Sequence, residues 1–319
     1  METKSPNPNT IVWFQNRFVR LAEANVNILT HALHYGTGVF EGVRGYYDDG
    51  SRDLLLFRAP DHFERWKRNC GILRISIPHS PSELCEITAE LCRRNAFKSN
   101  IYVRPLAYKA SARIGVAPDD NDAHAIVVLP FGHYFEKVKG LRAGVVSWRR
   151  IDDTMIPGRG KLTGAYVNSV LAGDEARRNG HDEAIFLTQD GHVAEGAACN
   201  LFMVRSGKLV TPPITDNILE GLTRASIMEL AEKELKLQVV ERSIDRSELY
   251  VCDELFFAGT AVEVAPITSV DHRPVGDGQI GRVTEQVRAL FVEATRGHVP
   301  AYREWLWPVY QGTPVANIA

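Results

Sequence analysis

The chain has no apolar run approaching the ~18 residues that cross a bilayer, and it has little cysteine: five in 319 residues, at Cys70, Cys85, Cys92, Cys199 and Cys252. An odd number with no Cys-x-x-Cys pair argues against a disulfide framework and suits reduced, buried thiols in a cytoplasmic protein. Metal-ligand spacing is lacking as well. His31 and His34 form His-x-x-His, but no His-Glu-x-x-His or third ligand follows, so we expect no metal. Charge of one sign is also lacking. With 37 Lys and Arg against 39 Asp and Glu the net charge is −2, which argues against a nucleic-acid groove. The polar opening METKSPNPNT has no apolar core, so we expect it to be loosely held and not a secretion signal.

What remains is an ordinary globular composition, 45% apolar and 24% charged, in a length that fits about two domains. The first third predicts strands at IVWF, DLLLF (53–57), IYVRPLAY (101–108) and AIVVLPF (125–131). Pro60 is expected to open a helix, and Ser80-Pro81-Ser82-Glu83 forms a capping box before another. The stretch 131–142 is turn-like and reads as a boundary. After it come a strand, AGVVSW, and a helix from about Ala165 to Asn179, with Gly180 as its stop. Two hairpins follow, turning at Asp190-Gly191 and Ser206-Gly207. A helix opens near Thr223, strands lie at QVVERSI and DELFFAG, and a last helix carries Val283, Val287, Leu290 and Phe291. The class is mixed α/β in unequal domains, with expected blocks 1–129, 130–140 (a loop) and 141–319.

One segment stands out: "IPGRGKLTGAY" (156–166) sets Lys161 among glycines, which permit unusual backbone angles and close approach to a ligand. A phosphate loop of the Gly-x-x-x-x-Gly-Lys-Ser/Thr type fails, because Leu162 follows the lysine and Met155 stands where the first glycine belongs. Gly276-Asp277-Gly278-Gln279-Ile280-Gly281 matches a dinucleotide fingerprint, but no parallel strand follows its helix. A pyridoxal phosphate enzyme makes four demands. They are a lysine for the Schiff base, an acid at the pyridine nitrogen, N–H donors at a helix start for the phosphate, and a donor to the phenolic oxygen. Lys161, Glu195 at a strand end, Gly221-Leu222-Thr223 at a helix start and Gly259-Thr260-Ala261 after an apolar strand offer such groups. Each has a plainer alternative: a surface lysine, a solvated glutamate, a simple N-cap at Thr223.

In these blocks the sequence resembles the branched-chain amino acid aminotransferases of the fold-type IV pyridoxal phosphate enzymes. The resemblance runs through "HALHYGTGVFEGVRGY" (31–46), "IYVRPLAY", "IPGRGKLTGAYVNSVLAGDEARRNG" (156–180), "EGAACNLF" (195–202), "LEGLTR" (219–224) and "FFAGTAVEVAPI" (256–267). It implies two unequal domains joined by a loop, with pyridoxal 5′-phosphate between them. It implies Lys161 as the Schiff-base lysine and Glu195 as the acid at the pyridine nitrogen. Tyr166 would bond the phenolic oxygen, and Arg65, Leu222, Thr223 and Thr260 the phosphate. Tyr35, Phe40 and Gly42 would wall the side-chain pocket. Tyr102 and the Thr260–Ala261 backbone would hold the α-carboxylate. Arg104 would take the second carboxylate of glutamate, and Val116 and Tyr134 would line the pocket from loops, across a dimer or larger assembly.

The implied reaction moves the amino group of L-leucine, L-isoleucine or L-valine to 2-oxoglutarate by a ping-pong route. A transaminase of D-amino acids or (R)-amines, a pyruvate-releasing lyase of the aminodeoxychorismate type and a non-catalytic module on the same scaffold are the alternatives. Arg104 within "YVRP" argues against the first. Phe131, His133 and Cys199 depart from the family pattern and bear on substrate range.

Overall fold

The computed structural model describes residues 7–132 and 140–311. The opening residues 1–6, and with them His133 and Tyr134, lie outside the described residues. The chain forms two compact units. Within the described residues the first comprises 7–132, 161–164 and 293–311, and the second 140–160 and 165–292. This partition differs from the expected blocks at two places, Lys161–Gly164 and the stretch from Glu293 onward. Both belong to the first unit because both pair with its strands.

The first unit is built on β1 (Ile11–Phe14), β2 (Arg17–Arg20), β3 (Gly38–Phe40), β4 (Val43–Asp48), β5 (Asp53–Phe57), β6 (Ile101–Lys109) and β7 (Asp122–Pro130). Its helices are α1 (His31–Tyr35), α2 (Ala59–Cys70) and α3 (Pro81–Arg94). The expected capping box starts α3: Ser80 Oγ accepts from Glu83 N at 3.2 Å, and Glu83 Oε2 accepts from Ser80 N at 2.7 Å. The sheet runs in the order β5-β4-β6-β7-β1-β2, and β3 also pairs with β6. Val39 lies opposite Ala107, and Val43 opposite Val103. Between β3 and β4 the ladder breaks at Glu41 and Gly42, beside Pro105, which has no N–H to donate; Pro105 O instead accepts from Glu41 N at 2.9 Å.

The second unit holds β8 (Leu141–Arg149), β9 (Glu183–Leu187), β10 (Val193–Gly196), β11 (Asn200–Arg205), β12 (Lys208–Thr211), β13 (Gln238–Glu241), β14 (Glu254–Gly259), β15 (Glu263–Val270) and β16 (Arg273–Pro274). They form one mixed sheet in the order β10-β9-β8-β15-β14-β11-β12-β13, with β16 on β15. Phe202 of β11 faces Phe256 of β14 in register, and their rings stack at 5.0 Å on one face. Leu201, Met203, Leu255 and Phe257 fill the core on the other. Helix α4 (Tyr166–Arg178) packs small residues, Ala172 and Ala176, against Phe186. Helix α5 (Leu222–Lys233) follows β12, and α6 (Arg282–Thr295) follows β16.

The chain then returns to the first sheet, where β17 (Leu306–Pro308) pairs antiparallel with β5. Buried Asp53 secures this return: its Oδ1 accepts from Leu54, Val309 and Tyr310 N at 2.8, 3.2 and 2.7 Å. All five cysteines are free and buried, and burial pushes the Cys70 and Cys252 thiols up to about 12. No described helix is long and apolar enough to cross a membrane, and the described residues hold no cluster of metal-ligating side chains.

Candidate active site

In the first unit Lys161 begins a four-residue strip laid along β3. Its carbonyl accepts from Phe40 N at 3.0 Å, and Val39 and Leu162 form an antiparallel bridge. Thr163 Oγ1 accepts from Gly38 N at 3.1 Å and donates to Gly36 O at 2.8 Å; Gly164 N also donates to Gly36 O, at 3.1 Å. Gly36 sits at φ +65°, and a Cβ there would lie 2.7 Å from Gly164 Cα. Glycine at 36 is what lets the two backbones meet, and a Cβ at 164 would sit tightly, 3.3 Å from Gly36 O. The Gly36–Gly164 meeting therefore helps seat the lysine, and its Nζ lies 5.1 Å from the centre of the Phe40 ring.

Phe40 also receives the Arg104 guanidinium, 4.6 Å from its centre. Tyr102 and Arg104 share one face of β6 at the two-residue strand period, and Arg104 Nη2 donates to Tyr102 Oη at 3.2 Å. Gly42 backs Tyr102 so closely that a Cβ would stand 2.0 Å from the hydroxyl. Phe131, one of the departures, puts its ring 5.3 Å from Tyr102 and takes the Arg44 guanidinium at 4.7 Å. The fold thus brings Lys161, Phe40, Gly42, Tyr102 and Arg104 into one cluster. Tyr35 closes α1, and its hydroxyl accepts from Gly115 N at 3.0 Å. Next along that loop, Val116 is 77% exposed, on the surface of the single chain.

Behind Phe40 lies Glu41, 0% exposed. Arg65 of α2 grips it side-on, with Nε at 2.6 Å and Nη2 at 2.9 Å, and His62 Nδ1 approaches at 2.9 Å. Burial would raise the Glu41 pKa; Arg65 and then His62 outweigh it and hold the carboxyl well below the usual range. Burial lowers the pKa of His62. Glu41 pulls it partly back, Arg65 and Lys161 push it down again, and the net shift is downward. A neutral imidazole donating to a carboxylate is the consistent state. Arg65 is therefore held by an acid that the sequence reading passed over. Its signal was a charged residue inside an apolar strand run.

In the second unit Glu195, next to last in β10, is a buried carboxylate. Its Oε1 takes Arg150 Nη2 at 2.8 Å; its Oε2 takes Asn200 Nδ2 at 2.9 Å and Leu219 N at 3.2 Å. Asn200 Nδ2 also donates to Leu219 O at 3.0 Å, and a Cβ on Gly221 would stand 2.0 Å from Asn200 Oδ1. Carboxylate and helix start are thereby locked in register. Gly221, not Thr223, is the N-cap of α5; it carries no side-chain cap, so the first N–H groups of Leu222 and Thr223 are not taken by one. Thr223 lies one residue inside, buried. Tyr166 opens α4, and Thr260 and Ala261 form the turn between β14 and β15. Cys199, the third departure, is buried, and its carbonyl accepts from Gly196 N at 2.7 Å.

The amino-transferase class IV family model matches residues 38–270, which span every one of these groups except Tyr35 and Gly36. The chain belongs to the class IV aminotransferase family. A probable branched-chain-amino-acid aminotransferase of Aquifex aeolicus is 43% identical over 299 residues, 93% of this chain and 96% of that protein. The branched-chain aminotransferase of Thermoproteus uzoniensis, solved with norvaline, superposes with a TM-score of 0.90 at 42% identity, covering 94% of this chain and 99% of that one. The branched-chain amino acid aminotransferase of Thermobaculum terrenum, solved in its PLP-bound holo-form, gives 0.91 at 36%, covering 96% of this chain and 100% of that one.

Class IV enzymes use pyridoxal phosphate, and the donor set of the second unit fits that group. A buried carboxylate paired with an arginine supplies the anion that a protonated pyridine nitrogen needs. A helix start opened by glycine supplies N–H groups for a phosphate. Arg150 and Asn200, which hold the carboxylate, were not legible in sequence: Arg149 ends β8 exposed, and Arg150, the next residue, is buried only through its contacts with Glu195 and Asn217, far along the chain.

Acid titration probes the Glu41 cluster. The unfolded chain takes up protons at His62 below about pH 6.5 and at Glu41 below about pH 4.3. The folded first unit resists both, since both folded pKa values are lowered. Stability is therefore full above these values and falls as pH drops through them. Glu41→Gln flattens the lower part of this profile and, by leaving Arg65 buried without its anion, costs about 3–5 kcal/mol at pH 7, read by urea denaturation. An unchanged acid limb in the variant would assign the acid sensitivity elsewhere.

Proposed function

We propose that this class IV aminotransferase transfers the amino group of L-leucine, L-isoleucine and L-valine to 2-oxoglutarate in two half-reactions at one site. The observation that carries this is the Phe40 ring, shared by Lys161 at 5.1 Å and Arg104 at 4.6 Å. Bound pyridoxal 5′-phosphate supplies the electron-withdrawing ring that weakens the Cα–H bond of the amino acid. Lys161 Nζ anchors that group and then removes and returns the Cα proton. Glu195 holds a charge at the pyridine nitrogen, and Tyr166 donates to the phenolic oxygen. Arg65, Leu222, Thr223 and Thr260 hold the phosphate.

Tyr102, with the Thr260–Ala261 backbone, holds the α-carboxylate of the substrate. Phe40, Tyr35 and Gly42 leave an apolar wall for a branched side chain, whose burial is worth roughly 1.5–3 kcal/mol. A second carboxylate at that wall, unpaired, would cost on the order of several kcal/mol. Arg104 removes that cost by leaving Phe40 and Tyr102 for the incoming dicarboxylate. Val116 and Ile114, 77% and 67% exposed beside Tyr35, support a second copy of the chain covering this loop in a homodimer or larger assembly, which sedimentation velocity measures; a monomer at working concentration overturns it. Five buried free thiols support a cytoplasmic setting.

Lys161→Ala is expected to lose turnover by on the order of 1,000-fold or more, together with the absorption band of lysine-bound cofactor. Retained turnover would mean a different lysine. With the wild type, a better rate on D-alanine or an (R)-arylamine, or pyruvate release without an amino acceptor, would point to a sibling reaction. Arg104→Gln is expected to raise KM for 2-oxoglutarate about 10–100-fold while leaving KM for the 2-oxo acid of leucine within about twofold. Equal effects on both in steady-state kinetics would remove Arg104 from the carboxylate role.

A further inference from the structure

Arg150 is nine-tenths buried and held at its backbone, its Nε and its Nη2. Its backbone N donates to Leu187 O at 2.8 Å, and its carbonyl accepts from Gln189 Nε2 at 3.0 Å. Its Nε donates to Asn217 O at 3.0 Å, and that carbonyl is covered by Gly158, where a Cβ would lie 2.5 Å away. The carboxylate that meets its guanidinium is that of Glu195, at 2.8 Å. The other oxygen of Glu195 has neutral donors, Asn200 and Leu219 N–H.

We propose that Arg150 is a positioning residue that keeps Glu195 ionised and thereby keeps the proton on the ring nitrogen of the bound cofactor. This rests on the reading of Glu195 as the partner of that nitrogen. A proton shared between the two can sit on either. Moving it from nitrogen to carboxylate places a unit of positive charge on the group that the guanidinium touches. The cation at 2.8 Å therefore opposes the move, and in a buried setting it does so strongly. With a neutral side chain at 150, Glu195 loses that cation and becomes the better base. The proton shifts toward it, and the ring draws electrons less well. Arg150 touches neither substrate nor reacting atoms; it acts through Glu195.

The test uses holoenzyme loaded with pyridoxal 5′-phosphate labelled with 15N at the ring nitrogen, followed by 15N NMR across pH. The wild type shows a protonated nitrogen through neutral pH. Arg150→Gln and Arg150→Met, two neutral replacements in case one takes up no cofactor, move the signal toward the unprotonated position and lower kcat about tenfold or more at nearly constant KM. Arg150→Lys keeps the cation but gives up the bond to Asn217, and it retains the wild-type signal. A fully protonated nitrogen in the neutral variants, or its loss in Arg150→Lys, overturns the proposal and leaves Arg150 as a brace for Asn217. An unprotonated nitrogen already in the wild type overturns instead the role given to Glu195.

Discussion

The strip Lys161–Gly164 is seated on β3 by contacts that only a bare backbone permits. A side chain at Gly36 would strike the Gly164 backbone, and Thr163 bonds to the chain on both sides of that meeting point. The position of Lys161 follows from this pairing rather than from any contact of its long side chain. The position of Phe40 follows as well, since its N–H closes on the lysine carbonyl. In the role proposed for it, the Lys161 amine must reach the same atom in both half-reactions and needs a backbone that does not wander. Strand-like pairing supplies that rigidity, where a free glycine-rich loop would not.

Each unit also keeps a buried carboxylate gripped by an arginine: Glu41 with Arg65 in the first, Glu195 with Arg150 in the second. Buried ion pairs contribute little net stability, because desolvation offsets the attraction. Their value here is orientation. Arg65 is a long side chain with several rotatable bonds, and a side-on grip at two nitrogens removes most of that freedom. Glu195 is fixed by three donors at once, so its carboxylate plane is set. Charged groups that are oriented in advance need no reorganisation when charge develops nearby.

Much of this was legible in the sequence. The capping box at Ser80, the turn at Ser206-Gly207, where both residues take positive φ, and the stop at Gly180 are local signals, and local physics settles them. The strands at 53–57 and 101–108 were visible for the same reason. What stayed hidden depends on contacts between residues far apart in the chain. Nothing in "VFEG" says that Glu41 will meet an arginine two dozen residues later. Nothing in "SWRR" separates the exposed arginine from the buried one until Glu195 and Asn217 are placed beside it. Thr223 read as a cap because threonine favours that place; Gly221 takes it instead because Asn200 leaves no room there for a side chain.

The return of β17 to β5 has a consequence for how the molecule is made. While residues 58 to 305 are being synthesised, β5 has no partner on its outer side, and the acceptor oxygen of Asp53 waits for amides not yet formed. At roughly 5–20 residues per second a ribosome takes on the order of tens of seconds to reach β17. For that interval the nascent chain carries an open sheet edge of the kind that pairs with strangers. The unit that starts first is completed last, so a cell making this protein quickly has most need of chaperones during that wait.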